Sequence, residues 1–322
     1  MRFKAGLAVA AGVLPASLVL IVLFLTIYAW PAIWFNGFHF VTSDTWSLGN
    51  LYANPIIVSG TQIPPGAHYG ILFLIVGTLL STLIALLIAV PVGIGAAVFL
   101  AEAVPGRLRP ALSFFVELLV AVPSVVFGLW GYVVVIPVLG HYVFPALIAA
   151  LGFIPFFAGP PGSGYGLLTA GVVLSLMIVP LIVATLRDAI VSQPPTTREA
   201  VTALGATKFE VVWKVLLPSQ SRVLIGASIL ALGRALGETM AVLMVSGNAL
   251  NYLPQNIYTP ISTMAAFIVS QLDSALQDPT EMAVRSLAEI ALILALISLI
   301  INFMARLLLF LEHRGARRAT MV

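Results

Sequence analysis

Residues 70–100 read GILFLIVGTLLSTLIALLIAVPVGIGAAVFL, an apolar run without a charged side chain. A helix needs about 20 such residues to cross the hydrocarbon core of a bilayer. Because water is absent from that core, the backbone N–H and C=O groups of a spanning segment must bond to each other, which favours a helix. The run therefore predicts a membrane-spanning helix and, with it, an integral membrane protein.

Five further apolar runs predict five more spanning helices, at about 7–33, 112–139, 167–187, 223–246 and 287–310. A shorter run, Tyr142 to Phe157, is interrupted by Pro145, Gly152 and Pro155. Runs of this length are more often re-entrant or interfacial than spanning. The predicted fold is therefore an all-α membrane protein with six transmembrane helices.

The composition agrees with lipid as the main solvent of the chain. Hydrophobic residues make up 61% of the sequence and charged residues 8%, against about a quarter charged in soluble domains. The absence of cysteine excludes disulfides, zinc–thiolate sites and iron–sulfur clusters. The histidines are far apart, so we expect no metal site from His39, His68, His141 and His313.

No motif for ATP hydrolysis is present in the sequence. The glycine-rich segment 159–166 lacks the Gly-Lys-Ser/Thr ending of a phosphate-binding loop. No clustered catalytic Ser, His or Asp set is visible either, so we expect neither a catalytic site nor a cofactor in this chain. An ATP-driven process would need another chain to bind ATP and magnesium.

The distribution of Lys and Arg predicts the orientation, since cytoplasmic loops carry an excess of these residues. Thirteen of the 15 lie in or beside the N-terminus, segments 101–111 and 187–222, and the C-terminal end. Segments 35–69 and 140–166 contain none. Both termini are therefore predicted to be cytoplasmic, with an N-terminal helix (1–34), an external loop (35–69), a core (70–310) and a basic cytoplasmic tail (311–322).

The cytoplasmic segment 192–222 carries signals for two short helices. Thr196 with Glu199, and Thr207 with Glu210, each fit a capping box that would start a helix. Gly205 lies between them, where a left-handed residue would end the first helix, and Pro218 is placed to end the second. The residues alone predict a helix–glycine–helix elbow, or an ordinary solvated loop with two short helices.

This segment resembles the "EAA" loop of bacterial ABC-importer permeases. The resemblance rests on Glu199-Ala200-Val201, Gly205 and the pair Leu217-Pro218, with Val201 departing from the usual alanine. It implies that the elbow docks on a separate ATP-binding subunit and transmits its movement. Glu199, Ala200, Gly205, Leu217 and Pro218 are then the expected coupling residues.

Four ionisable residues fall inside predicted spans, where they cost roughly 2.5–3.5 kcal/mol each at the bilayer centre and mark candidate functional positions. Arg234 lies roughly 16 Å along its span at about 1.5 Å per residue, and Glu238 would lie one turn further on the same face. We expect this pair to line a substrate path, although a self-neutralising structural pair is the alternative. Glu117 and Glu289 lie near span edges and are expected to be structural or secondary path residues.

A narrower resemblance is carried by Gly233-Arg-Ala-Leu-Gly-Glu-Thr-Met-Ala-Val242. This stretch resembles the signature of phosphate-specific importer permeases, and its Met-Ala-Val ending is closer to the PstC type than to PstA. Tyr69-Gly-Ile-Leu72 and Val122-Pro-Ser-Val-Val-Phe-Gly128 are similar to the same family. The resemblance implies a multi-pass inner-membrane protein that imports phosphate with a PstA-like permease, two ATP-binding subunits and an external phosphate-binding protein.

Three other functions are open at this point. A permease for another oxyanion, such as sulfate or molybdate, would share the elbow. An ion-coupled secondary carrier would need no ATPase and no elbow. A membrane-embedded enzyme would need a catalytic cluster that the sequence does not show, and nothing in the sequence predicts nucleic-acid binding.

Overall fold

The computed structural model describes the backbone of residues 2–319 and the side chains of residues 11–307. We number the helices α1–α12 and the strands β1–β4 in chain order. The helices are α1 (Arg2–Asn36), α2 (His39–Thr42), α3 (Leu72–Ala103), α4 (Arg109–Ala121), α5 (Ser124–Leu151), α6 (Leu167–Val191), α7 (Pro195–Ala203), α8 (Lys208–Ser219), α9 (Ser221–Leu236), α10 (Met240–Val245), α11 (Met264–Ala275) and α12 (Met282–Ala319). The strands are β1 (Trp46–Ser47), β2 (Ile56–Val58), β3 (Thr61–Ile63) and β4 (His68–Tyr69).

Five helices in the described residues are long and apolar enough to cross a membrane: Ala11–Asn36 of α1, α3, α5, α6 and Met282–Leu307 of α12. The total is six if α8 and α9, which meet at 65°, count as one bent span. The prediction of an all-α fold with about six spans is therefore confirmed. The predicted basic tail, 311–322, lies outside the residues whose side chains are described.

The third predicted span, 112–139, was placed wrongly, and so was the separate segment at Tyr142 to Phe157. The helix is interrupted at Val122 and Pro123, because proline lacks the N–H that would continue the α4 hydrogen bonds. A new helix, α5, then runs without a break to Leu151. Residues 142–151 of the shorter run thus form the C-terminal end of one 28-residue span, and Pro155–Phe157 form a separate 3-10 turn.

Wide π turns explain how α5 continues through Pro137 and Pro145. The turns at Gly131–Val135 and Leu139–Val143 each directly precede the short helical segment that contains a proline. A wide turn shifts the backbone hydrogen bonds by one residue and makes room for the proline ring, so the helix continues without the N–H that proline lacks. Sequence patterns identify a proline as a helix breaker but do not show this accommodation.

The centre of the fold is the pair α3 and α6. Gly93 of α3 lies against Ile182 of α6, and Gly171 of α6 lies against Ile84 of α3, so that a Cβ at either glycine would clash. Lipid provides no hydrophobic driving force between helices, and small residues permit the close approach that van der Waals packing requires. The buried face of α6 includes Leu174 and Ile178, which makes it the most enclosed of the spans.

The loop 35–69 contains two short antiparallel strand pairs, of which only β2 and β3 form a hairpin, and the sequence did not predict them. Strands β1 and β4 pair Trp46 with Tyr69, and β2 and β3 pair through a two-residue turn. Trp46 packs edge-on against Phe267 of α11 with ring centroids 5.1 Å apart. Asn251 accepts from the Trp46 N–H at 2.6 Å and donates to the Trp46 carbonyl at 3.0 Å. The loop is therefore fixed to the segment that follows the fifth predicted span.

The predicted orientation can be tested with single cysteines, since the chain has none. An impermeant maleimide should label Ser163→Cys from the external side, because segment 140–166 carries no Lys or Arg. Leu204→Cys, which is 88% exposed at the tip of the elbow, should be labelled from the cytoplasmic side only. Labelling of both cysteines from one side would overturn the six-span arrangement.

Candidate functional site

Arg234 lies near the end of α9, at an interruption of the fifth predicted span. The helix ends at Leu236 and α10 begins at Met240. The Arg234 guanidinium donates from Nη2 to the Val120 carbonyl at 3.4 Å. That carbonyl is in the last turn of α4, where carbonyls lack partners within the helix and carry partial negative charge. Arg234 therefore connects the ends of two interrupted helices.

Glu238 does not form the predicted same-face pair with Arg234. The predicted continuous span 223–246 is broken between Gly237 and Thr239, so the one-turn spacing does not apply. Instead, the Glu238 Oε1 atom accepts from the Ala241 N–H at 3.2 Å, at the start of α10. The described side chains contain no Arg234–Glu238 ion pair. The guanidinium of Arg234 is thus not neutralised by that carboxylate.

Two breaks in the helices are close together in space. Gly128 of α5 lies against Ala241 and Met244 of α10, where an added Cβ would come within 3 Å of both. This contact places the α4–α5 break beside the α9–α10 break. Non-helical backbone at membrane depth is tolerated only where protein covers it or where it lines a water-filled cavity. Because Gly237 is exposed in this chain, the region needs either a partner subunit or an aqueous path.

Glu117 is in α4, a 13-residue helix that is not one of the candidate spans. Its side chain is 56% exposed, and its Oε1 atom is 3.1 Å from Nη2 of Arg187, which is 8% exposed. Arg187 also pairs with Asp188 of its own helix. Glu117 therefore links α4 to the C-terminal end of α6, a contact that supports the structural alternative for this residue.

Glu289 is buried, with 5% of its surface exposed, and so does not reach interfacial water as an edge residue would. The Asn36 amide donates to Glu289 Oε2 at 2.8 Å and to Ser286 Oγ at 3.3 Å. Asn36 is the last residue of α1, and the other two belong to α12. The cluster connects the C-terminal end of α1 to the N-terminal end of α12.

The predicted elbow is formed by α7, Gly205 and α8. Gly205 has φ of +87°, and a Cβ there would meet no atom within 4 Å. The glycine is therefore required by backbone conformation and not by close packing. Thr207 and Glu210 form the predicted capping box, with the Glu210 N–H donating to Thr207 Oγ1 at 3.3 Å and the Thr207 N–H donating to Glu210 Oε2 at 3.0 Å.

Other details of the elbow differ from prediction. The Thr196 capping box is absent, because the helix starts two residues earlier than predicted, at Pro195, with Pro194 in the capping position. Pro218 does not end α8, which continues to Ser219 before the chain bends. The hydrogen bond from Lys214, followed by those from Thr207, lowers the pKa of the Glu210 carboxyl to about 2, so this cap stays charged at neutral pH.

The expected coupling residues are divided between the two helices of the elbow. Glu199 and Ala200 are exposed on α7, Leu217 is half-buried and Pro218 is exposed on α8. Leu204, next to Gly205, is 88% exposed. An apolar side chain so exposed at a turn between two helices is typical of a surface that another protein covers.

Arg198 was counted only as a cytoplasmic charge in the sequence, yet it holds the elbow in place. Its guanidinium pairs with Glu102 of α3 at 2.7 Å and donates to the carbonyls of Ile190 and Gln193 at 2.9 and 3.2 Å. A cation in the first turn of a helix opposes the helix dipole. That unfavourable position is the sequence signal that could have predicted a specific partner for Arg198.

Replacing Arg198 with alanine should loosen the elbow from α3 and α6. The change removes the ion pair with Glu102 and the hydrogen bonds from the charged guanidinium to the Ile190 and Gln193 carbonyls, worth roughly 1–3 kcal/mol each. We expect faster hydrogen exchange at the backbone amides of α7, with Arg198→Lys intermediate. Unchanged exchange in Arg198→Ala would contradict this role.

Comparison with known families identifies the architecture. A family model described as "Binding-protein-dependent transport system inner membrane component" matches residues 89–314, well over half of the chain. The chain belongs to this family. It is accordingly a multi-pass transport permease and not an enzyme, and its elbow lies within the matched residues.

Individual relatives are similar over most of their length. "Phosphate transport system permease protein PstC 1" of Mycobacterium tuberculosis is 45% identical over 283 residues, covering 87% of this permease and 84% of the relative. "Phosphate transport system permease protein PstC" of Pasteurella multocida is 36% identical over 295 residues, covering 90% and 85%. The probable PstC of Methanocaldococcus jannaschii is 33% identical, covering 90% and 89%.

A solved structure gives independent support for the fold of this permease. A bacterial alginate ABC transporter, in complex with an alginate pentasaccharide-bound periplasmic protein, matches with a TM-score of 0.56 at 17% identity, covering 94% of this chain and 93% of that chain. At this identity the likeness concerns the fold alone. Among the described residues, no group of three or more His, Cys, Asp or Glu is placed to hold a metal ion.

Proposed function

We propose that this chain is the membrane-spanning permease subunit of an ATP-driven importer of inorganic phosphate. The carrying observation is Arg234, placed where two helix breaks meet and free of ion pairing among the described side chains. The names of relatives that are 33–45% identical supply the substrate. Neither sulfate nor molybdate is named for the relatives described above, so the other-oxyanion alternative has no comparable support.

Arg234 would bind a translocated phosphate from a fixed position, but weakly enough to release it. A guanidinium presents a planar fork that can donate to two phosphate oxygens at once. In this chain the fork is held by a single carbonyl hydrogen bond at 3.4 Å, which an anion can displace. Conduction requires that the ion also leave, and the carboxylate of Glu238 nearby would repel a phosphate that stayed.

Partner subunits would supply what this chain lacks. A homologous PstA-like permease would cover the exposed break at Gly237 and complete the path. Two ATP-binding subunits would hold ATP and Mg²⁺ and dock on the elbow around Leu204 and Gly205. An external phosphate-binding protein would deliver the ion from outside a bacterial inner membrane.

Reconstitution of the chain with those partners in proteoliposomes tests the proposal. We expect uptake of radiolabelled phosphate that requires ATP and the binding protein and that excess sulfate or molybdate does not reduce. Competition by either oxyanion at equal concentration would favour the alternative substrate. Uptake by this chain alone would indicate a secondary carrier and would overturn the assignment.

A further inference from the structure

A groove of about 680 Å³ opens at the cytoplasmic end of α3, between that helix and α8 of the elbow. The α3 wall includes Gly95, Phe99 and Glu102, and the elbow wall includes Lys208, Phe209 and Trp213. The volume is within the range of about 300–1,000 Å³ that is typical of small-molecule sites. Neither the proposed path at Arg234 nor the docking tip at Leu204 belongs to it.

The α3 wall continues the outward surface of that spanning helix. Leu83, Leu87 and Phe99 are each more than half exposed, at 52%, 65% and 57%. Pro91 and Gly95 are exposed at the intermediate positions, which completes a row of residues spaced four apart. Such rows form ridges along a helix surface, and this apolar ridge leads from mid-membrane into the groove.

The opposite wall has the composition of a membrane interface. Phe209 and Trp213 of α8 are 69% and 52% exposed, with their ring centroids 5.8 Å apart. Val211 and Val212, which also line the groove, and Leu216 are the buried residues of α8. Aromatic side chains with this exposure are typical of the headgroup level of a bilayer, which indicates that α8 lies in the membrane interface.

The groove carries one positive charge that the described side chains leave uncompensated. Arg198 is paired with Glu102 at 2.7 Å, so these two lining charges cancel. Lys208 has no ion-pair partner among the described side chains, whereas Lys214 on the same helix pairs with Glu210. Basic pockets beside cytoplasmic helix ends are suited to anionic lipid headgroups.

We propose that the groove binds one phospholipid with an anionic headgroup. Its phosphate lies at Lys208, and one acyl chain runs over Phe209, Trp213 and Gly95 onto the ridge of α3. A lipid is favoured over a protein segment because the apolar wall is continuous with the exposed apolar ridge of α3, a helix long enough to cross a bilayer. The elbow tip at Leu204 and Gly205 lines a separate cavity with Glu210 and Lys214, which leaves the groove open when a partner docks there.

This lipid would lie between the elbow and the C-terminal end of α3, in contact with both. Arg198 and Glu102 line the groove and also fix the elbow to that helix. Coupling between the ATP-binding subunits and the membrane helices would then depend on the anionic lipid content of the bilayer. This consequence rests on the proposed function, whereas lipid binding itself does not.

Native mass spectrometry of the complex, with phosphatidylglycerol or phosphatidylcholine added at equal concentration, tests the site. Gly95→Leu should fill the groove without strain, because no atom lies within 4 Å of a Cβ there, and should lose bound lipid of either type. Lys208→Gln should reduce the preference for phosphatidylglycerol over phosphatidylcholine about fivefold, the effect expected for one basic residue at a lipid surface.

Two matched variants control for the changes in size and charge. Gly12→Leu adds the same side chain to an open position on α1, and Arg222→Gln removes an exposed cytoplasmic charge outside the groove. Both should bind phosphatidylglycerol as the unaltered chain does. Equal binding by all four variants would overturn the proposal.

A second measurement distinguishes lipid from protein as the occupant. Trp213→Cys provides a single thiol in the groove, and we expect phosphatidylglycerol to protect it from maleimide in detergent. Protection by the ATP-binding subunit but not by the lipid would make the groove a protein interface and would refute lipid binding.

Discussion

Replacing Arg234 with glutamine is expected to abolish phosphate uptake while the complex still assembles. The guanidinium can donate two charge-assisted hydrogen bonds to one phosphate, and each is worth about 1.5–3 kcal/mol. Their loss at a point where the ion has shed its water corresponds to a fall in transport rate of at least about a hundredfold. Initial uptake of radiolabelled phosphate in proteoliposomes measures the effect.

Arg234→Lys should recover only part of the activity, because an ammonium group lacks the planar fork. The matched control is Arg222→Gln, which removes an exposed arginine at the start of the same helix α9. Near-normal uptake by Arg234→Gln, with an assembled complex, would remove Arg234 from the proposed path.

Glu238 needs a different test, since it caps α10 and does not pair with Arg234. Glu238→Gln keeps an oxygen that can accept from Ala241, so the cap survives while the charge is lost. We expect slower phosphate release and lower turnover with normal assembly. Glu238→Leu removes charge and cap together, and a defect seen only in that variant would assign Glu238 a purely structural role.

Replacing Gly205 with valine is expected to produce the largest loss of phosphate uptake after Arg234→Gln. The chain should still insert into the membrane. Gly205 has φ of +87°, where a side chain costs roughly 1–2 kcal/mol and a β-branched one more. A strain of about 1.4 kcal/mol lowers the equilibrium constant between the native elbow and its other conformations tenfold. We therefore expect uptake and stimulated ATP hydrolysis to fall, by up to about tenfold for each 1.4 kcal/mol of strain.

The control for Gly205 is a side chain that tolerates positive φ. Steric conflict is not tested at this position, because a Cβ there meets no neighbouring atom. Asparagine adopts positive φ more readily than other side chains. Gly205→Asn should therefore retain most of the activity, although its side chain is about as large as that of valine. If Gly205→Val transports phosphate normally, the elbow has no coupling role. Equal loss in both variants would point to a blocked docking surface instead of backbone strain.

The sequence by itself determined the membrane class, the approximate number of spans and the elbow. These features depend on local properties: apolar runs long enough for a bilayer, the Thr207–Glu210 cap, and a glycine where the chain must turn left-handed. Each acts within a few residues, so composition and spacing are sufficient to predict it. The same reasoning selected Arg234, because a charge inside a membrane span costs free energy. The sequence did not show that its guanidinium would contact the Val120 carbonyl.

The tertiary structure decided the contacts between distant segments. Glu238 was paired with Arg234 because a continuous helix was assumed, but the chain breaks at Gly237 and α10 packs on Gly128 of α5. Arg198 reaches Glu102 across 96 residues of sequence, and Asn36 reaches Glu289 across 253. The free energy of each contact depends on packing between helices that lie far apart in the chain, and local sequence patterns do not encode which helix ends will meet.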